Sequence, residues 1–576
     1  MDIERTSTAG GIVIVAMLLA GCGGEKDSPW SYIDTGTGSD VPVDPWPDSP
    51  AGDAPGDAPW DPVTDTVGCS DYVDTDGDTI ADHQEGDSDL DADGQPNSQD
   101  TDSDNDTIPD SAEAGDADLC TAPRDTDHDT TYDFLDPDSD NDGVSDSDEM
   151  DHGTDPLATD SDGDEVSDLV ETVYGSDPLD DTDTPQSHGD FVFVVDHMAE
   201  PEPPRDTLVF GTDIQIADVY ITIDTSGSMS GEVLNLQETL QSDIVPGIEA
   251  AIPNVQMGVM RFEDCPSSSC ANSIANLQSI TDVIDDVQSA LDTITEASLC
   301  GGSEPYALAL YVTATGDVSG TGLSAASCGA GYLGYPCFRP GAIPIVIQIG
   351  DEPFCQTIMG IPEGGCTCTP RKGVEDAYNA LNAIHAKYIG VNTSGVPGPM
   401  GPRPQMEEVA LYTGSHDGMS LFVFDGEEDG TGLGMEIVNA VSTLAGSVPL
   451  DISAKAVDVE DFPGETVDTT QFVARIEPNA AGGVADPVDP SRVCVGGLPT
   501  GDFDGDGYQD YFDGVTPGTI VCFDIVAAMN TTVERIPDEP QLYTAIVQVV
   551  GDLITVLDER EIFFLIPPDV HVEIPI

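Results

Sequence analysis

Two kinds of stretch in this sequence gather oxygen-bearing side chains at spacings that suit a hard divalent cation. The first is Asp224-Thr225-Ser226-Gly227-Ser228, which follows the apolar run Val219–Ile223. A carboxylate and two hydroxyls on a glycine-containing turn at a strand's end can converge on one ion. Such ligands suit Mg2+, Mn2+ or Ca2+ rather than zinc or copper. The competing explanation is that these side chains cap a helix beginning near Glu232. The second kind follows D-x-D-x-D-x-x-x-[DN]-x-x-[DE], in which positions 1, 3, 5, 9 and 12 wrap oxygens around one Ca2+.

Six windows of the second kind crowd the acidic region. They are Asp74, Asp76, Asp78, Asp82 and Glu85; Asp89, Asp91, Asp93, Asn97 and Asp100; and Asp102, Asp104, Asp106, Asp110 and Glu113. Then come Asp125, Asp127, Asp129, Asp133 and Asp136; Asp138, Asp140, Asp142, Asp146 and Glu149; and Asp160, Asp162, Asp164, Asp168 and Glu171. A seventh copy, Asp502, Asp504, Asp506, Asp510 and Asp513, stands alone near the end, where a Gly/Asp-rich hairpin turn competes with it. The segments flanking the six do not read as the long helices of an EF-hand. Between Asp27 and Pro204 the one basic side chain is Arg124, and large apolar residues are few. Ions, rather than an ordinary core, are therefore expected to hold this region, and without them self-repulsion expands it. The competing explanation is an acidic disordered spacer.

Charge bounds the partners. Fifteen Lys+Arg against 111 Asp+Glu leave a formal charge of −96, which repels phosphates and argues against nucleic acid. No His, Glu or Lys near the motifs is spaced as a general base, and Ser226 is not in a G-x-S-x-G elbow, so no enzyme is expected.

Positioning the first stretch requires a sheet. Apolar runs Val219–Ile223, Val255–Phe262, Ile343–Ile349, Tyr388–Val391 and Leu421–Phe424 alternate with helical patterns Val233–Ile244, Ile280–Ile294, Pro305–Ala314, Val374–His385, Gln405–Tyr412 and Met435–Leu444. This predicts a doubly wound, Rossmann-like parallel sheet covered on both faces over 216–447. Gly301-Gly302-Ser303-Glu304-Pro305 precedes one helix, and Ile343–Ile349 runs into Gly350-Asp351. With D-x-S-x-S, these three segments resemble the metal-ion-dependent adhesion site of von Willebrand factor type A domains. The resemblance implies that Asp224, Ser226, Ser228, Ser303 and Asp351 hold one Mg2+ or Mn2+, with an open position completed by an acidic residue of a protein partner. Ser303 stands where that family usually has Thr, and neighbouring Glu304 offers a carboxylate instead. The six acidic windows start 15, 13, 23, 13 and 22 residues apart. This alternation resembles thrombospondin type 3 repeats.

The remaining segments point to export. Gly11–Ala20 is apolar but too short to span a bilayer, and Leu19-Ala20-Gly21-Cys22 resembles a bacterial lipobox. That resemblance implies cleavage before Cys22, lipidation of its thiol and a lipid anchor as the sole membrane contact, at the outer membrane or cell surface. Removing Cys22 from thirteen cysteines leaves an even number, as disulfides require. Cys265/Cys270 and Cys328/Cys337 are close enough to staple loops, and Cys494 and Cys522 flank another. The expected organisation is multidomain: signal peptide 1–22, flexible linker 23–68, calcium repeats 69–190, linker 191–215, type A domain 216–447 and a β-sandwich-like domain 448–576. In that last part Leu542–Val550, Leu553–Leu557 and Glu561–Ile566 read as strands. The expected function is cation-dependent adhesion with the repeats as a stalk; the alternative is a structural calcium-binding envelope spacer.

Overall fold

The computed structural model describes residues 72–570 except 264–273, 295–303, 355–356, 359–360, 363–369, 396–400, 428 and 538. Cys22, the 23–68 linker, Ser303 and the pair Cys265/Cys270 lie outside the described residues. Among those residues no helix is long and apolar enough to cross a membrane.

Apart from a short two-stranded pair, Thr357–Ile358 with Ile361–Pro362, the described strands of the 216–447 region form one six-stranded sheet. Its order is Val423–Asp425, Lys387–Asn392, Ile343–Gly350, Ile216–Asp224, Asn254–Phe262 and Ile274–Thr281. All neighbours are parallel except the last pair. Alternate side chains of the central strands enter different cores. Val219, Ile221, Ile223, Ile345, Ile347 and Ile349 join Leu236 and Val441 of the helices Ser230–Thr239 and Leu433–Ser447. Tyr220, Val346 and Tyr388 join Leu310, Leu381 and Val409 of the helices Tyr306–Thr315, Val374–Asn382 and Arg403–Tyr412. Burial on both faces is why these strands read as unbroken apolar runs. The helix expected from Ile280 begins at Ile284, because 274–281 instead pairs antiparallel along the sheet edge.

Residues 191–215, expected to be a linker, are a correction. Val192–Val194 pairs in parallel with Phe563–Leu565, and Arg205–Gly211 pairs antiparallel with 520–526. The cause is apolar: Phe193, Leu208 and Phe210 are fully buried. These strands complete two sheets made mostly from the tail. One has six strands, ordered Val192–Val194, Thr555–Ile566, Gln541–Gly551, Leu450–Asp458, Tyr511–Val515 and Thr500–Gly501. The other has three, ordered Val473–Pro478, Ile520–Ala527 and Arg205–Gly211. Phe512 of the first meets Phe523 of the second edge-on with ring centres 5.3 Å apart. The α/β part is thus inserted between two strands of a discontinuous β unit. Runs 553–557 and 561–566, read as separate strands, are one strand, Thr555–Ile566. Disulfides join Cys328 to Cys337 and Cys494 to Cys522, and Cys120 is also disulfide-bonded.

The acidic region folds as a string of loops, each turning into one or two turns of helix from its ninth position. Asp82–Glu85, Asp110–Glu113, Asp146–His152 and Asp168–Tyr174 are α-helical, while Asn97–Gln99 and Asp133–Leu135 are single 3-10 turns. It does bury apolar side chains, in two small groups. Ile80, Ala114 and Phe134 form one; Val144, Leu169 and Val170 form the other, packed against Val192 and Leu565 of the β unit.

Candidate metal centres

The seven acidic loops share one backbone conformation. In every one, the fourth and sixth residues have positive φ: Gly77 and Thr79, Ala92 and Gly94, Asn105 and Thr107, His128 and Thr130, Asn141 and Gly143, Gly163 and Glu165, Gly505 and Gly507. Such angles are unfavourable for β-branched residues, yet Thr79, Thr107 and Thr130 take them at 83°, 84° and 91°. The solitary loop at 502–513 therefore matches the six in geometry as well as in spelling.

Hydrogen bonds explain how the loops aim their carboxylates. The position-5 aspartate accepts from the backbone N–H two residues on, as Asp78 does from Ile80 at 2.8 Å, Asp106 from Ile108 at 2.7 Å and Asp142 from Val144 at 2.7 Å. One oxygen is used; the other is left buried and without a partner in Asp78, Asp106 and Asp164. Position 12 is more exposed to this problem: Glu85, Glu113 and Glu149 are buried with both oxygens unpartnered. Position 9 behaves differently from the expected simple ligand. Asp82, Asn97, Asp110, Asp133, Asp146, Asp168 and Asp510 each accept from the backbone N–H of position 2 of their own loop, at 2.6–3.1 Å. Buried carboxylate oxygens without donors are what a Ca2+ site of this chemistry presents. Ligand atoms of Asp74, Asp76 and Asp78 lie within 4.8 Å of one another, as do those of Asp89, Asp91 and Asp93 and of Asp102, Asp104 and Asp106.

Electrostatics carries a pH prediction. Burial, then repulsion from neighbouring carboxylates, pushes Glu85 up to about 9, Glu113 to about 11 and Glu149 to about 9. The unfolded chain titrates these groups near ~4.3. Between those limits the ion-free folded segment binds more protons than the unfolded chain, so its stability falls as pH rises through that window. In chelator, acidification from pH 8 to 5 is expected to increase the ordered fraction read by circular dichroism. Calcium reverses the sign, because protons compete with the ion for the same oxygens.

The second centre sits where adjacent strands end. Ile223 pairs with Ile349, which places Asp224 beside the Gly350-Asp351 turn. Asp224 is fully buried; its carboxylate accepts from the Ser226 N–H at 2.8 Å and from the Tyr306 hydroxyl at 2.9 Å. Burial pushes it up to about 7, with Asp351 adding repulsion. The Ser226 and Ser228 hydroxyls are 3.1 Å apart. Asp351 keeps one buried oxygen without a partner. Glu304 is buried and pushed up to about 8 by burial, then by Asp224, Glu352 and Asp351. Asp224, Ser226, Ser228 and Asp351 thus lie at the ends of adjacent strands, Ser303 being outside the described residues. Two more groups were not anticipated. Tyr306 braces Asp224, and Glu232, in the first turn of the following helix, is buried with one unpartnered oxygen near Asp351. An acidic residue in a helix's first turn reads as ordinary capping, so sequence alone gave no reason to choose Glu232.

Residues 138–159 match the family profile of the bacterial TSP3 repeat. That segment begins at the first ligand of the fifth loop. No curated protein sequence matches the chain. Among solved structures, the chain resembles a von Willebrand factor type A protein from Catenulispora acidiphila weakly, at TM-score 0.27 and 12% identity, over 63% of this chain and 73% of that one. It also overlaps proximal thread matrix protein 1 of the mussel byssus, at TM-score 0.27 and 14% identity, over 43% and 50%. The pilus adhesin SpaC of Lactobacillus rhamnosus GG in its open conformation gives 0.26 and 10%, over 62% and 45%. The chain spans about half the length of these last two.

Proposed function

We propose that this is an exported, surface-anchored protein that captures a protein partner through a divalent cation, carried on a calcium-stabilised repeat segment. The observation that supports it best is the meeting of Asp224, Ser226, Ser228 and Asp351 beyond the carboxyl ends of adjacent parallel strands, with a buried Asp351 oxygen lacking any donor. Ligands bind at this end of open α/β sheets. With Ser303, these residues would hold Mg2+ or Mn2+, leaving a position for an acidic side chain of the partner. The TSP3 loops would hold Ca2+, and Cys22 would carry the lipid. We read the two tail sheets as a sandwich that supports the inserted α/β domain. Binding rather than turnover is the role we assign.

The test is capture from surface extracts in Mg2+/Ca2+ against chelator, with wild type and Asp224→Ala. Capture is expected to fall at least about tenfold in chelator and in the variant, as for loss of a coordinating group. Unchanged capture by the variant would contradict the reading. Equal, cation-independent behaviour of both would favour a structural spacer, for which the docking of Val144, Leu169 and Val170 onto the β unit speaks.

A further inference from the structure

The six loops of the acidic region fall into two classes. Four end in Glu at position 12 (Glu85, Glu113, Glu149, Glu171) and are α-helical from position 9; two end in Asp100 or Asp136 and form a 3-10 turn from position 9. The classes differ in what their ninth residue faces. Asp110, from the third loop, has a ligand atom within 4.8 Å of ligand atoms of Asp78 and Glu85 in the first loop. Asp146, from the fifth loop, stands in the same relation to Asp106 and Glu113 of the third. All six residues are buried, and Glu113, 3% exposed, leaves both oxygens without a partner. Asp146 gives one oxygen to the Ser139 N–H at 2.9 Å; its other oxygen is buried and unpartnered. In the two-member class the ninth residue carries no uncompensated charge. Asn97 is neutral, and Asp133 is paired with Arg124, the one basic side chain between Asp27 and Pro204.

We propose that the ions of the first and third loops are shared, each held by positions 5 and 12 of its own loop and by the ninth-position aspartate of the next Glu-ending loop. This rests on the reading that the segment binds calcium, and goes beyond it by joining loops 36 residues apart, Asp110 to Asp146, into one coordination chain. Three buried carboxylates in no salt bridge can keep their charges together only with a cation between them. Asp146 then has two tasks, clamping its own loop and ligating the preceding ion. An ion at the third loop therefore needs the fifth loop in place, which makes uptake positively cooperative.

The test is a calcium titration of the full chain against a competing chelating indicator. Wild type is expected to bind with a Hill coefficient of about 2 or more. Asp146→Asn keeps the oxygen that caps the fifth loop, so that loop stays formed. It is expected to weaken one site at least about tenfold and to flatten the titration. Asp133→Asn, the same change in the other class, is expected to leave the Hill coefficient unchanged, because no second loop's ion draws on that side chain. Equal effects of the two variants, or none from either, would overturn the sharing of ions while leaving calcium uptake intact. No calcium uptake by wild type would overturn this inference together with the calcium reading beneath it.

Discussion

Stripping divalent cations at neutral pH is expected to open the acidic region to proteolysis about a hundredfold faster, with calcium restoring protection. The reason is a balance of local terms. Apolar burial there amounts to Ile80, Ala81, Ala114 and Phe134 and to Val144, Leu169 and Val170, and a fully buried large side chain contributes about 1.5–3 kcal/mol. Against this stand Glu85, Glu113 and Glu149, which without an ion must either bury an unpaired charge or take up a proton at neutral pH, each at a cost of several kcal/mol. Strained backbone at Thr79, Thr107 and Thr130 adds about 1–3 kcal/mol apiece. A bound ion at a hundred times its Kd returns about 2.7 kcal/mol per site, which is that hundredfold. Cleavage by a protease that cuts after acidic residues reads the effect, with the 216–447 sheet as an internal control. Equal cleavage rates with and without chelator would contradict it.

Gly350→Ala is expected to destabilise the α/β domain by about 3 kcal/mol, lowering its Tm by roughly 6–12 °C, and to abolish the cation-induced rise in Tm. A Cβ on Gly350 would lie 2.0 Å from the Tyr306 hydroxyl and 2.5 Å from two ring carbons. That ring cannot step aside. It stacks on Phe354 at 4.9 Å and meets Phe262 edge-on at 4.8 Å, and it is fully buried. Its hydroxyl donates to Asp224 and accepts from the Glu352 N–H, so displacing it disturbs both ligand turns. Calorimetry of Gly350→Ala with and without Mg2+ checks this. Adding Tyr306→Phe removes the nearest clashing atom and is expected to return part of the Tm but not the cation response. A Gly350→Ala variant that melts like wild type would show that the ring has room to move.

Features encoded locally were legible from sequence. The D-x-D-x-D register places alternate carboxylates inward, and the same spacing recurs in all seven loops with the same backbone. Asp224 and Asp351 were legible because each directly follows an apolar strand, and parallel pairing of those strands sets them side by side. Features depending on distant partners were not. Phe193 and Phe210 look like residues of a linker until strands 555–566 and 520–527 supply their neighbours, more than 300 residues later in sequence. The discontinuity arises because the α/β domain interrupts the β unit. Tyr306 reads as one apolar residue in a helix, and its hydroxyl gains a role through Asp224, 82 residues away. The ninth-position residues were read as ligands of their own loops. Their backbone hydrogen bonds form when each loop closes on itself, and the approach of Asp110 to Glu85 appears only when the loops are stacked.

The most direct measurement of the central claim, that bound ions supply the cohesion of the acidic region, is native mass spectrometry of the full chain across a calcium series, read alongside its charge-state distribution. Uptake of one ion per loop, about seven in all, is expected, with a shift to the compact distribution as they bind. A chain that is equally compact with no calcium bound would contradict it.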